Sequence, residues 1–191
     1  MSAKREKLIE TALELFAKNG FHATGIDMIL AKAGVAKKTL YTHFRTKDEL
    51  ILAVLRQHDG AFRNHFMKNV EALADTPAER LLAVFDVAEA WFSQSNFYGC
   101  MFINAVGEYS EEGTAIREVC KEFKRLMQSY MKSLAEQAGI KEADELASEL
   151  AMLLEGSIVT AQVSEQSEKA AKTAKRVAQS LITEAKENKR N

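Results

Sequence analysis

The stretch GVAKKTLYTHFRTKDEL, Gly34 to Leu50, carries Lys37, Lys38, Thr39, Tyr41, Thr42, His43 and Lys47 in close succession. These residue types share one chemistry, which is hydrogen bonding and charge pairing rather than bond breaking. Lysines bind phosphate or reach the acceptors of guanine, threonines meet base edges or a thymine methyl, and Tyr41, His43 and Lys47 suit phosphate oxygens. Catalytic arrangements do not emerge elsewhere. The histidines His22, His43, His58 and His65 and the carboxylates of Glu108, Glu111 and Glu112 fit no Ser-His-Asp set, phosphate loop or metal spacing. His58 and His65 lie seven apart on one long segment, and stoichiometric metal in purified protein would be needed to revive a metal reading. The expectation is a binding protein, not an enzyme, with no cofactor and no metal.

Such side chains need a scaffold to aim them. The 191 residues are 47% hydrophobic and 28% charged, with one proline and nine glycines, and Ala, Leu, Glu and Lys recur at spacings of three and four. That pattern predicts an all-α protein of about nine helices. Leu8, Ala12, Leu15 and Phe16 mark a helix from about Lys4 to Lys18, closed at Asn19-Gly20. Thr24 is expected to cap a second helix, Ile26 to Ala33, which Gly34 ends by permitting positive φ. A third, Lys37 to His43, buries Leu40 and is followed by Phe44. TKDE at Thr46 and TPAE at Thr76 read as capping boxes that open a helix from Lys47 to about Leu73 and another after Pro77. Further helices are expected near Gly99 to Tyr109, Ala115 to Ala138, Glu142 to Val163 and Glu168 to Glu187. No internal repeat is present.

The net charge of −1 conceals an asymmetry: residues 1–50 hold nine Lys/Arg against six Asp/Glu, and the remainder seventeen against twenty-one. The basic excess thus sits in the part of the chain that holds the Gly34 to Leu50 stretch. Glu10 and Glu14 interrupt the N-terminal apolar residues, which predicts neither a secretion signal nor a membrane span and points to the cytoplasm. Cys100 and Cys120 lack disulfide or zinc-site spacing. Two short helices joined by a glycine-containing turn, the second exposing small polar and basic residues, form a helix-turn-helix that lays a recognition helix in the DNA major groove. The competing readings make Tyr41 and Phe44 core aromatics with solvated lysines, or make the whole a protein–protein adaptor that binds no DNA.

LIETALELFAKNGFHAT followed by TGIDMILAKAGVAKKTLYTHFRTKDELI resembles the DNA-binding domain of the TetR family of transcriptional regulators, over about residues 4–55. The resemblance implies a DNA-binding domain at 1–50 and an effector-binding and dimerisation domain at 51–191, with helix four connecting them. It also implies a ligand-responsive repressor that binds a palindromic double-stranded operator as a homodimer, with Thr24 an added phosphate contact. Ala36 departs from the serine usual before the recognition helix, and Gly25 and Asp27 are less usual too.

In the C-terminal part, WFSQSNFYGCMF concentrates aromatic and sulfur side chains suited to an apolar or flat effector. The expected effector contacts are Trp91, Phe92, Tyr98, Cys100, Met101, Asn104, Glu108, Phe123, Met127 and Glu155, with Tyr109, Tyr130 and Met152 nearby. GCMFINAVGEY is similar to a segment in family members where a cysteine senses oxidants or electrophiles, which implies that role for Cys100. The last two helices carry an excess of apolar and small residues. Leu150, Leu154, Ile158, Ala161, Ala174, Val177, Ala178 and Leu181 are the expected dimer contacts of an intersubunit four-helix bundle, the alternative being an ordinary intrachain core.

Overall fold

The computed structural model describes residues 2–187, and among them the backbone forms nine α-helices and no strand. In chain order these are α1 (Ala3–Asn19), α2 (Ile26–Ala33), α3 (Lys37–His43), α4 (Lys47–Leu73), α5 (Pro77–Phe92), α6 (Met101–Glu108), α7 (Ala115–Gln137), α8 (Ala143–Val163) and α9 (Ser167–Glu187). Two compact units result. One runs to Phe62 and takes in Cys100–Phe123; the other comprises Arg63–Gly99 and continues from Lys124. Residues of α4 therefore contribute to both, and α6 folds with the N-terminal helices.

In the first unit, α1 buries Leu8, Ile9, Ala12, Leu15 and Phe16, and α2 and α3 both pack on it. Gly34 adopts φ 62° and ψ 38°, and its N–H donates to the Leu30 carbonyl, so the chain reverses at a conformation that any side chain would strain. A helix of seven residues such as α3 has too few internal bonds to persist alone. Leu40 and Phe44 bury it, and the Arg5 guanidinium covers the Phe44 ring at 5.2 Å.

Two expected caps differ in detail. Thr24 does not cap α2: Gly25 holds that position without a side-chain bond, and Thr24 is fully buried, its hydroxyl donating to the carbonyls of Gly20 (2.7 Å) and Leu15 (3.2 Å). At α4 the Thr46 hydroxyl accepts from Glu49 N–H at 3.2 Å as expected, but the Glu49 carboxylate takes the N–H of Arg45 at 2.7 Å. At α5 the box is complete, with Thr76 and Glu79 satisfying each other's backbone N–H groups.

In the second unit, α5 and α9 lie against each other and both meet α8. The apolar contact is flanked by ion pairs from α9 to α5, Lys175 to Asp86 at 2.5 Å and Lys172 to Glu89 at 3.3 Å. Helix α8 is long and apolar enough by composition to cross a membrane, yet its Leu146, Leu150, Leu154 and Ile158 are buried within this unit.

Candidate nucleic-acid interface

The interface is built outward from Leu40. With that side chain at zero exposure, the helical period turns Lys37, Lys38, Tyr41 and Thr42 to solvent and leaves Thr39 and His43 half-buried at the margins. Tyr41 is 47% exposed while Phe44 is 3% exposed, so of the two aromatics only Phe44 belongs to the core. The exposed face presents two ammonium groups, a phenol and a hydroxyl on one short rod. Thr42 donates its hydroxyl to the Lys38 carbonyl at 2.9 Å, and the hydroxyl keeps its acceptor capacity. Lys37 reaches Asp27 at 3.5 Å, but both side chains are mostly in water, where such a pair is worth little and yields readily to a phosphate. Lys47, at the first residue of α4, spends one donor on the His22 carbonyl at 3.4 Å.

Thr24 leaves this set, because a fully buried hydroxyl already bound to two carbonyls cannot also face a phosphate. Ala36 occupies the N-cap of α3 with φ −67°, ψ 145° and no side-chain bond, as the missing serine requires.

The residues expected to hold an effector divide between the two units: Cys100, Met101, Asn104, Glu108 and Phe123 in the first, and Trp91, Phe92, Tyr98, Met127 and Glu155 in the second. The two carboxylates among them are otherwise engaged. The Glu108 carboxylate accepts the N–H groups of Phe21 (2.7 Å) and His22 (2.5 Å), and Glu155 pairs with Lys124 at 3.2 Å. Met152 is 76% exposed and lines no core. Cys100 is buried at the N-cap of α6. Tyr98 is exposed, Phe92 and Met127 are buried, and Trp91 meets Phe97 edge-on at 5.1 Å. Composition could not show that Tyr130 keeps a buried hydroxyl without a hydrogen-bond partner; burial and the Glu71 carboxylate push its phenol above the ordinary range, against Arg80.

The expected dimer residues also need correction. Leu150, Leu154, Ile158, Ala161, Ala174 and Ala178 are buried within the protomer, and only Val177 and Leu181 of the eight reach the surface. The opposite face of α8 carries Met152, Val159 and Val163, all exposed, and Met152, Gly156, Ala170 and Val177 line an open groove of about 540 Å³.

The architecture is that of an all-helical regulator with an N-terminal helix-turn-helix. Residues 8–54 match the family model for bacterial regulatory proteins of the tetR family, and residues 77–178 match that of the tetracyclin repressor-like C-terminal domain. The chain belongs to the TetR family of DNA-binding transcriptional regulators, which are not enzymes. The HTH-type transcriptional regulator YerO of Bacillus subtilis is 40% identical over 83 residues, 43% of this chain and 28% of that protein. Two other curated regulators are likewise matched over only 25% and 44% of their length. The B. subtilis regulator YhgD is 35% identical over 146 residues, 74% of this chain and 72% of that one. The TetR-family regulator SCO4454 of Streptomyces coelicolor superposes with a TM-score of 0.88 at 27% identity, covering 95% of both chains.

Proposed function

We propose that the protein is a cytoplasmic repressor that binds a palindromic operator as a homodimer and is released by a small apolar or electrophilic effector. The supporting observation is the face of α3: with Leu40 and Phe44 inward, Lys37, Lys38, Tyr41 and Thr42 stand together in solvent. Thr39 and Thr42 read base edges, Lys37 and Lys38 reach phosphate or guanine, and Tyr41, His43 and Lys47 hold phosphates, the division of labour of a major-groove helix. Two copies related by a two-fold axis place their α3 helices about 34 Å apart, or a multiple, and so require an inverted repeat. The exposed apolar face of α8 and α9 is what brings the two copies together.

For the effector, the unsatisfied Tyr130 hydroxyl is a group whose burial costs roughly 1–3 kcal/mol until a partner arrives, and a ligand hydrogen bond recovers it. Cys100 supports the electrophilic variant, because adduct formation there acts directly at the start of α6. Sγ adds to the electron-poor carbon of an activated alkene, and the thiol proton ends on the neighbouring carbon. Either ligand acts through differential affinity for two conformers, typically ~1–3 kcal/mol, with α4 as a transmitter.

Selection of bound sites from a random duplex library, at moderate salt, tests the reading. An enriched inverted repeat is the expected product; no enrichment even at low salt, where phosphate contacts are strongest, moves the adaptor reading to first place. With the selected duplex in hand, an electrophile such as N-ethylmaleimide is expected to release the wild type and to leave Cys100→Ser bound. Release of both proteins alike removes Cys100 from the proposal.

A further inference from the structure

The last residue of α6 makes contacts that neither a core position nor an effector contact requires. Glu108 grips the turn between α1 and α2 with both ends of its own residue: each carboxylate oxygen accepts one backbone N–H, from Phe21 at 2.7 Å and from His22 at 2.5 Å, and its carbonyl meets His22 Nε2 at 2.9 Å. These N–H groups have no helical partner of their own, and a carboxylate that takes two of them forms charge-assisted bonds of the stronger kind. The turn is shaped for this approach. Gly20 has φ 85°, and a Cβ there would stand 2.9 Å from the Glu108 carboxylate, so a side chain at this position would push the grip apart.

Neighbouring residues extend the same junction. Tyr109 stacks on the His22 ring at 4.9 Å and 26° and meets Phe21 edge-on at 6.2 Å. Its phenol is hydrogen-bonded with Asp48 in the first turn of α4, and burial, then Asp48 and Glu108, push its pKa up to about 12, so it remains a donor. Lys47 donates to the His22 carbonyl from the same turn. The C-terminus of α6, the α1–α2 turn and the start of α4 therefore meet at residues 20–22, 47–48 and 108–109.

We propose that Glu108 is the positioning residue through which α6 sets the helix-turn-helix for operator binding. Helix α2 begins four residues after His22 and carries α3 with it through the turn at Gly34. Eight residues of α-helix form a short rigid rod, so a displacement at its Cys100 end is delivered at its Glu108 end, and the two backbone N–H groups follow the carboxylate. The inference rests on the reading that α3 binds DNA. It adds that operator affinity is set by a residue of α6, outside the helix-turn-helix.

The test compares wild type, Glu108→Gln and Glu108→Ala in binding the duplex that the wild type selects, well below the melting temperature of each. Glu108→Ala is expected to bind about tenfold more weakly or worse, within the usual range of coupling between sites. Glu108→Gln, which keeps one acceptor oxygen, is expected to fall in between. Amide exchange at Phe21 and His22 should accelerate in step, while the α1 core from Leu8 to Phe16 stays protected. A role confined to stability lowers the melting temperature but leaves the affinity of folded protein unchanged, so affinities within about twofold of wild type overturn the proposal. If Glu108→Ala does not fold, Glu108→Gln decides by the same criterion. A wild type that selects no duplex defeats the DNA-binding reading itself and this inference with it, an outcome distinct from variants that bind as well as wild type.

Discussion

At the scale of single residues, the protein separates side chains committed to the fold from those left to act, and His58 is an instance of the first kind that composition disguises. Its imidazole stacks on Phe102 at 5.7 Å and touches Phe62 at 5.6 Å, while Phe102 lies flat on Phe123 at 3.8 Å. Burial holds its pKa below the ordinary 6.5, with Asp59 opposing. A folded value below the unfolded one means that the unfolded chain binds the proton more readily. The stabilisation is therefore fully present above the unfolded value and declines as pH falls below it, until the folded form is protonated too. Melting temperature should drop between about pH 7.5 and about pH 5 more steeply in wild type than in His58→Phe, which keeps a ring and loses the titration. Parallel curves would show that His58 is not the sensitive group. On the acting side, Lys38→Ala should weaken operator binding and reduce the slope of log affinity against log salt by about 1 if its ammonium holds a phosphate, or relax preference at one base if it reads guanine. A variant with wild-type affinity and slope would exclude Lys38 from the interface.

At the scale of helices, the end of α2 and the starts of α4 and α5 are legible because each has a local cause: glycine at φ 62°, proline at the first turn, or Thr and Glu three apart. Ala36 shows the same logic in deficit. Its extended conformation is already that of an N-cap, so Ala36→Ser places a hydroxyl where it can accept a backbone N–H of the first turn of α3, without strain. The variant should gain about 1 kcal/mol in denaturant unfolding and bind the selected duplex more tightly, since that hydroxyl also lies beside the DNA-facing turn. A gain in stability with no gain in affinity would detach the cap from the interface. The positions that sequence could not settle depend on contacts made once the elements pack, near or far along the chain. Glu108 meets residues 86 and 87 positions away, and the burial of Thr24 depends on the Leu15 and Gly20 carbonyls. A carboxylate on an apolar helix face reads as a ligand contact until the turn it holds is seen. For α3, one leucine at the centre of seven residues indicates which way the rest point, while packing decides that Phe44 enters the core, Tyr41 stays in solvent and Thr39 and His43 are half-buried.

At the scale of the whole molecule, the proposed homodimer needs an association surface, and the two faces of α8 differ in what they offer one. That helix is apolar on both faces, so its period cannot say which face turns inward. The structure gives the larger side chains, Leu150, Leu154 and Ile158, to the protomer's own core and leaves Met152, Val159 and Val163 exposed at 76%, 44% and 82%, with Val177 of α9 at 38%. Exposed apolar side chains gathered on one side of α8 and α9 suit an association surface, and a two-fold pairing lets the groove lined by Met152 and Val177 serve both copies. The two classes of residue then predict opposite phenotypes. Leu150→Ala removes buried volume and should destabilise the protomer by about 2–5 kcal/mol. Met152→Glu and Val177→Glu change exposed positions and should leave the helical content of the monomer intact, while light scattering reports the mass of one chain instead of two. Because each half-site alone holds only one recognition helix, the monomer should lose affinity for the inverted repeat far more than for a single half-site. If the doubly substituted protein still sediments as a dimer and still prefers the full repeat, copies pair through another surface, and the face of α8 and α9 carries a different partner.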